Sequence, residues 1–444
     1  MVHCRAQPSN ARMASSTSHV GIDFGTSNSA LAVADPTTGD VHFVTFPLLG
    51  TTTPSYRSLL FFDPEEQQGG RPIAYHAGTE GIEAYLEALG EGRLVQSFKT
   101  HLTTENLGRT QIAHHQVSLD EMLRLFFVRL RGHLQRELGD VPERAVIGRP
   151  VRFAGATSDE ANDRAQVRLR EAAMAAGFAD VKFELEPIAA AFHYERQLER
   201  PELALVADFG GGTTDFCLMH LGPRRHHGKS RRDDIVQTGG VGVAGDDLDA
   251  AMIEHVVGPR LGQGTTYVEM GTEREIPKSY YFKLARWHQL SFLQGKRTRA
   301  ELERLHRLAR EPDAIAAFMH VLENNQGFHL HKAVERAKIA LSSQPTGRFH
   351  YEDDPVEIDT EVTRADFETW IAPLVADIAA GLDDTLARAG VPPSEVDRVF
   401  MTGGTAFVPA VRREFESRFG PQKLTGGDEL MSIASGLALH APST

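Results

Sequence analysis

One pattern occurs twice in this sequence, and it constrains the fold more than any other feature. Val20-Gly-Ile-Asp-Phe-Gly-Thr-Ser-Asn-Ser-Ala-Leu-Ala-Val33 is an apolar run ending in Asp-Phe-Gly, a turn of small hydroxyl residues, and a second apolar run. Leu205-Val-Ala-Asp-Phe-Gly-Gly-Gly-Thr-Thr-Asp-Phe-Cys-Leu-Met219 repeats the design. Each copy reads as two strands joined by a tight turn. One copy opens each half of the 444-residue chain, a length comfortable for two domains. The expectation is a duplicated α/β protein whose two lobes each present a hairpin to a shared cleft.

Between the copies, Asp120 to Leu138 carries Leu and Phe at three- and four-residue spacing and predicts a helix. Arg144 to Val151 predicts a short strand stopped by Pro150, and Ala161 to Gly177 a helix ending on glycine. Val181 to Leu185 reads as a strand, and Pro187 to Tyr194 as a helix with proline in its first turn. Such alternation implies a sheet covered by helices. After the second copy, Gly239 to Asp247 reads as a glycine-rich loop leading into a helix over Leu248 to Val257. Residues 276–343 show no strand pattern and predict a helical region. Asp366 to Ala389 predicts a long helix and Arg398 to Thr402 a strand. A third turn, Gly403-Gly404-Thr405, then leads to helices over Val408 to Phe419 and Asp428 to His440.

The turns carry the chemistry. A nucleoside triphosphate needs close backbone approach, which glycine permits because a Cβ would clash, and N–H groups that converge on phosphate oxygens. Gly25, Thr26, Ser27 and Asn28 in the first turn suit this role, as do Gly210, Gly211, Gly212 and Thr213 in the second. Asp23 and Asp208 end their strands just before the turns. Carboxylates there suit a hydrated magnesium ion, which keeps most of its waters. Either hairpin alone is equally an ordinary turn, where Gly, Asn and Asp are expected anyway; two matched copies and a third Gly-Gly-Thr turn argue for phosphate. No Walker-type lysine motif is present and no Gly-x-Gly-x-x-Gly follows a first strand, which disfavours P-loop and Rossmann architectures.

Composition excludes other classes. A formal net charge of −13 argues against an extended nucleic-acid surface. The single basic cluster, Arg224 to Arg232, is followed at once by Asp233-Asp234 and reads as a solvated loop. No run approaches the length of a membrane span. Residues 1–18 are polar, lack the apolar core of a secretory signal, and are expected to form a disordered tail, with Met13 a second candidate start. Cys4 and Cys217 are the only cysteines, a usage that suits a reducing, cytoplasmic setting and supports neither disulfides nor zinc. None of the twenty histidines has metal-ligand spacing; His114-His115 and His226-His227 read as surface pairs.

The two hairpins, Glu186-Pro-Ile-Ala-Ala-Ala191, Val334 to Ser343 and Met401 to Thr405 occur in an order that resembles the DnaK-type heat-shock (seventy-kilodalton) chaperone family, in its ATPase module. The resemblance runs from about His19 onward, and the length resembles the YegD-like branch. It implies an actin-like ATPase (ribonuclease H-like) fold of the α/β class: two lobes around a nucleotide cleft, each with an outer subdomain. Lobe I would span 19–200, with its outer subdomain at about 49–137. Lobe II would span 201–427, with a helical outer subdomain at about 251–346, and 428–444 would form a helix packing back on lobe I.

The resemblance also implies roles. Asp23 and Asp208 would hold Mg²⁺ through water, and Thr26 and Thr213 would contact the terminal phosphates. Glu186 would position or activate the attacking water. Lys99, which read alone is equally a surface lysine, would reach the γ-phosphate. Gly240, Gly403 and Gly404 would line the phosphate and sugar side, and Glu335, Lys338 and Ser342 the ribose and adenine side. The family's arginine pair around adenine is replaced here by Ile339 and Phe407, which can hold a purine only by packing and stacking. Pro150 matches a proline that couples the lobes, whose usual arginine partner falls near Gln166 or Arg168.

The sequence is expected to carry no peptide-binding domain. The expected function is therefore an ATP-binding, heat-shock-type protein: a slow Mg-dependent ATPase or ATP-operated switch, chaperone-like but without its own peptide groove. Its partners would be ATP or ADP and client or regulatory proteins not legible in the sequence, with no nucleic acid and no membrane. The alternatives are a nucleotide-bound scaffold or filament protein of the actin fold, and an actin-fold small-molecule kinase.

Overall fold

The computed structural model describes residues 19–439, apart from 36–37, 68–70, 89–91, 106–107, 154, 196–197, 224–230, 287–288, 291–292, 294, 325 and 426–430. The expected tail 1–18, most of the basic cluster, His226-His227 and Cys4 lie outside these residues.

The repeated pattern becomes two sheets of the same construction. In the first, His19–Phe24, Asn28–Ala34 and Val41–Phe43 form an antiparallel meander; Arg144–Arg149 then adds parallel to His19–Phe24, and Asp180–Leu185 parallel to Arg144–Arg149. The second repeats this. Glu202–Phe209, Thr214–Leu221 and Ile235–Val241 form the meander, Arg398–Thr402 adds parallel to Glu202–Phe209, and Leu424–Thr425 completes the edge. Glu202–Phe209 and Arg144–Arg149, each a member of a parallel pair, are buried on both faces, which explains the continuous apolar runs Leu205–Ala207 and Ala145–Ile147. This mixed α/β architecture is consistent with an actin-like ATPase fold.

Helices cover the sheets and take their ends from the sequence. Ser118 accepts a hydrogen bond from the Glu121 N–H to start Leu119–Leu138, and Ser158 from Ala161 N–H to start Asp159–Ala175. Thr363 does the same for Arg364–Ala389, each cap contributing about 1 kcal/mol. Gly139 and Gly390, both at positive φ, end two of these helices. Leu119–Leu138 sends Leu123, Phe126, Phe127 and Leu130 into the core under the first sheet, each worth roughly 2 kcal/mol of burial.

Three expectations are corrected. Gly239 and Gly240 are not in a loop but in the strand Ile235–Val241. A Cβ at Gly239 would lie 1.9 Å from Thr385 Oγ1, so the glycine there admits the long helix Arg364–Ala389 against the strand. The helix after it is shorter than expected, Gly245–Met252, and continues as a π turn over Ile253–Val257. Residues 251–346 are not wholly helical either, since Thr266–Glu269 and Thr272–Glu275 pair as a hairpin. The last helix, Ser432–Leu439, lies against His19–Phe24, Asn28–Ala34 and Glu186–Glu195.

Candidate functional site

Both hairpin turns, and the ends of the parallel strands beside them, border one cavity of about 830 Å³. It is reached from the carboxyl ends of the first strand of each sheet, the edge at which α/β sheets offer backbone N–H groups and loops to ligands. The first turn is braced from below: Ser58 Oγ donates to Gly25 O at 2.7 Å and Ser58 N–H to Ser27 O at 3.0 Å. The second closes with Gly210 N–H on Thr213 O at 2.9 Å. The turns come so close that a Cβ on Gly211 would fall 2.3 Å from Ser27 Oγ. A third turn sits beside them, where Gly403 at φ 86° leaves no room for a Cβ, which would fall 2.1 Å from Phe209 O.

Carboxylates converge at the floor. Asp23, Asp208 and Glu186 line the cavity together with Asp215. Lys99 Nζ donates to Glu186 Oε1 at 2.8 Å, and their side chains are only 13% and 9% exposed, so Lys99 is no surface lysine. Enclosure by protein, then Glu186, pushes Asp23 up to about 7. Asp208 is raised by the same two causes, against a 2.6 Å hydrogen bond donated by Thr402 Oγ1. Asp215 reaches about 6: its surface opens to the cavity, but the walls exclude bulk water and Asp208 adds repulsion. Burial pulls Lys99 down, yet Glu186 and Asp23 outweigh it and its ammonium is held more tightly than usual.

This donor set fits a divalent cation. Burial and mutual repulsion push Asp23, Asp208 and Asp215 above the ordinary carboxylate range, and an incoming polyphosphate would add more negative charge to them. Among the described residues no three His, Cys, Asp or Glu side chains converge as a direct cage, and magnesium, which keeps its waters, requires none.

Of the remaining sequence-derived residues, Gly25, Thr26, Ser27, Asn28, Gly210, Gly211, Thr213, Glu335, Lys338, Ile339, Ser342, Gly403, Gly404 and Phe407 line the cavity. Gly212 and Gly240 do not; Gly240 lies opposite Asp215 in the second sheet. The helix Gly327–Ser343 supplies the far wall. There Lys338 pairs with Asp249 and Glu335 with Lys332, each at 2.6 Å. Partial burial raises Glu335, but Lys332, Arg57 and Lys338 outweigh it and hold its carboxyl below the ordinary range. Ile339 and Phe407 are 62% and 46% exposed, large apolar groups turned to the open end.

One feature escaped the sequence reading. Asp215 pairs with Asp208 across the hairpin; counting back from the turn finds it, since the residue that ends the first strand must face one on the second. Pro150 lines the cavity, and the Pro150 and Val151 carbonyls accept from Arg149, whose Nη1 also donates to Gln166. Arg168 turns elsewhere, to the carbonyls of Leu102 and Thr104.

Two known families match separate parts of the chain. The MreB/Mbl protein family matches residues 112–259, which hold Glu186 and the second hairpin. The Hsp70 protein family matches residues 321–442, which hold the far wall and the third turn. Both families belong to the actin-like ATPases. The chain carries an Hsp70-like, actin-fold ATPase module. These matches indicate an ATP-binding actin-fold protein. Among the described residues no helix is long and apolar enough to cross a membrane.

Proposed function

We propose that the protein is a slow magnesium-dependent ATPase that works as an ATP-operated conformational switch of the heat-shock type. The observation that carries this reading is the Lys99–Glu186 pair set among Asp23, Asp208 and Asp215, between glycine turns from both sheets. The turn N–H groups bind and orient the phosphates. Lys99 meets charge at the terminal phosphate, and Glu186 holds the attacking water in line and accepts its proton as ATP and water become ADP and phosphate. Thr213 Oγ1, donating to Asp215 Oδ2 at 3.0 Å, and Thr402, donating to Asp208, keep the two acids oriented. Asp23 and Asp208 would hold magnesium through water, and the ion would supply charge neutralisation. In phosphoryl transfer positioning and electrostatics do most of the work.

The same placement makes the site a switch. The two sheets act as lobes, with divisions near residues 200 and 427, and terminal-phosphate contacts to both turns favour the closed arrangement. Nucleotide shifts that equilibrium only by its differential affinity for the closed form. Single-turnover hydrolysis decides the enzymatic reading: wild type should release phosphate slowly, and Glu186→Gln should bind ATP but stall. Wild type that binds ATP and releases no phosphate sinks it.

A second reading, a filament-forming protein, draws on the MreB/Mbl match. Sedimentation with and without ATP separates the two: an ATP-dependent pellet favours filaments, and an unchanged supernatant favours the switch.

A further inference from the structure

Lys99 belongs to a short segment rather than to a sheet, so something must fix it. It sits in the 3₁₀ turn Phe98–His101, entered through Ser97 at φ 60°. On one side Phe98 is buried against Phe126, ring centroids 5.6 Å apart. On the other side the chain is gripped by the helix Asp159–Ala175. Arg168 Nη1 donates to Leu102 O at 2.8 Å and to Thr104 O at 2.7 Å. Its Nε lies 3.3 Å from Asp120 Oδ1 on the helix Leu119–Leu138, and its side chain is 14% exposed. One turn earlier, Arg164 pairs with Glu105 at 3.1 Å.

A guanidinium held by two carbonyls and a carboxylate is a rigid fork, and a lysine ammonium carried on the bound segment inherits its position. We propose that Arg168 is a positioning residue for Lys99. By fixing the Leu102 and Thr104 carbonyls it sets the Lys99 ammonium where a terminal phosphate meets it, and so sets the preference for a nucleoside triphosphate over a diphosphate. The proposal rests on the ATP-site reading above. It requires the effect of Arg168 to pass through Lys99, which a merely structural arginine would not do.

The test is equilibrium binding of ATP and ADP, with magnesium, to wild type, Arg168→Ala, Lys99→Ala and the double variant. Arg168→Ala should weaken ATP about tenfold, the worth of a charge-assisted contact, while leaving ADP nearly unchanged. The double variant should be no weaker for ATP than Lys99→Ala, because both changes remove one interaction. Arg168→Lys keeps a cation for the carbonyls and should recover part of the ATP preference; it also carries the test if the alanine variant does not fold. Equal losses for ATP and ADP, or additive losses in the double variant, overturn the role of Arg168 while the site reading stands. Wild type that binds neither nucleotide overturns the site reading itself.

Discussion

The two ends of the cavity are made of different materials. At the floor, acids and one lysine sit in fixed contacts, with Asp208 held by Thr402 and Glu186 by Lys99. At the open end, Ile339 and Phe407 stand in solvent, beside ion pairs that lie wholly within the second half of the chain. Buried charges cost a great deal unless paired, so the floor tolerates little change. Exposed apolar groups gain only by covering a ligand, so the rim is permissive. Chemistry is specified at one end and the identity of the base only loosely at the other.

The largest expected effect tests the floor. Glu186→Gln keeps shape and removes the proton acceptor, and should slow single-turnover hydrolysis by about 10²-fold or more while ATP binding persists. A rate within a few-fold of wild type would move the base elsewhere in the cluster. Next, Asp208→Asn should lower magnesium-dependent ATP affinity about 10- to 100-fold, with little change when magnesium is absent; calorimetry in both conditions checks this.

Protonation gives a third test. Asp23, near 7, must lose its proton to accept a cation. Magnesium-ATP affinity should therefore fall as pH drops from 8 to 5.5, with proton release on binding near pH 7, visible as buffer-dependent heat. The ligand-free protein has the opposite sign. An acid whose folded pKa is raised binds protons more tightly when folded, so Asp23 contributes stability at low pH and loses it as pH rises from about 4 to 7. Asp23→Asn should accordingly raise the melting temperature of the empty protein at pH 8 by a degree or more, about 1 °C, and leave it little changed at pH 4.

The rim should give the smallest effect. Ile339→Ala or Phe407→Ala should each weaken ATP about two- to fivefold, the scale of a partly buried side chain, and change GTP equally. A loss confined to ATP would show the rim to be selective after all, and would erase the contrast between the ends.

The same contrast explains what could be read in advance. Asp23, Asp208 and the glycine turns were legible because each lies inside a local pattern, an apolar strand meeting a tight turn. The roles of Glu186 and Lys99 were legible only through resemblance to a family. Asp215 is local too, but it lies past the turn in the second strand, where a single acid looks like any outward-facing strand position. Arg57, Lys332 and Arg168 could not be read locally, since what they touch is set by packing between distant segments. Gly239 misled for a related reason: its small size serves a helix more than a hundred residues away, and sequence around it looks like a loop.

The helix Ser432–Leu439 has a consequence for how the molecule is made. Gly21 admits its backbone, with no room for a Cβ beside Ala434 O, and His19 bonds Leu437 O at 3.0 Å. The first sheet is therefore roofed by a helix that leaves the ribosome long after the strands it covers. Until it emerges, Ala30, Ala32 and the neighbouring face of the opening strands wait uncovered. A nascent chain stalled before Ser432 should be the form most open to proteases and to sticky partners, however complete its second sheet.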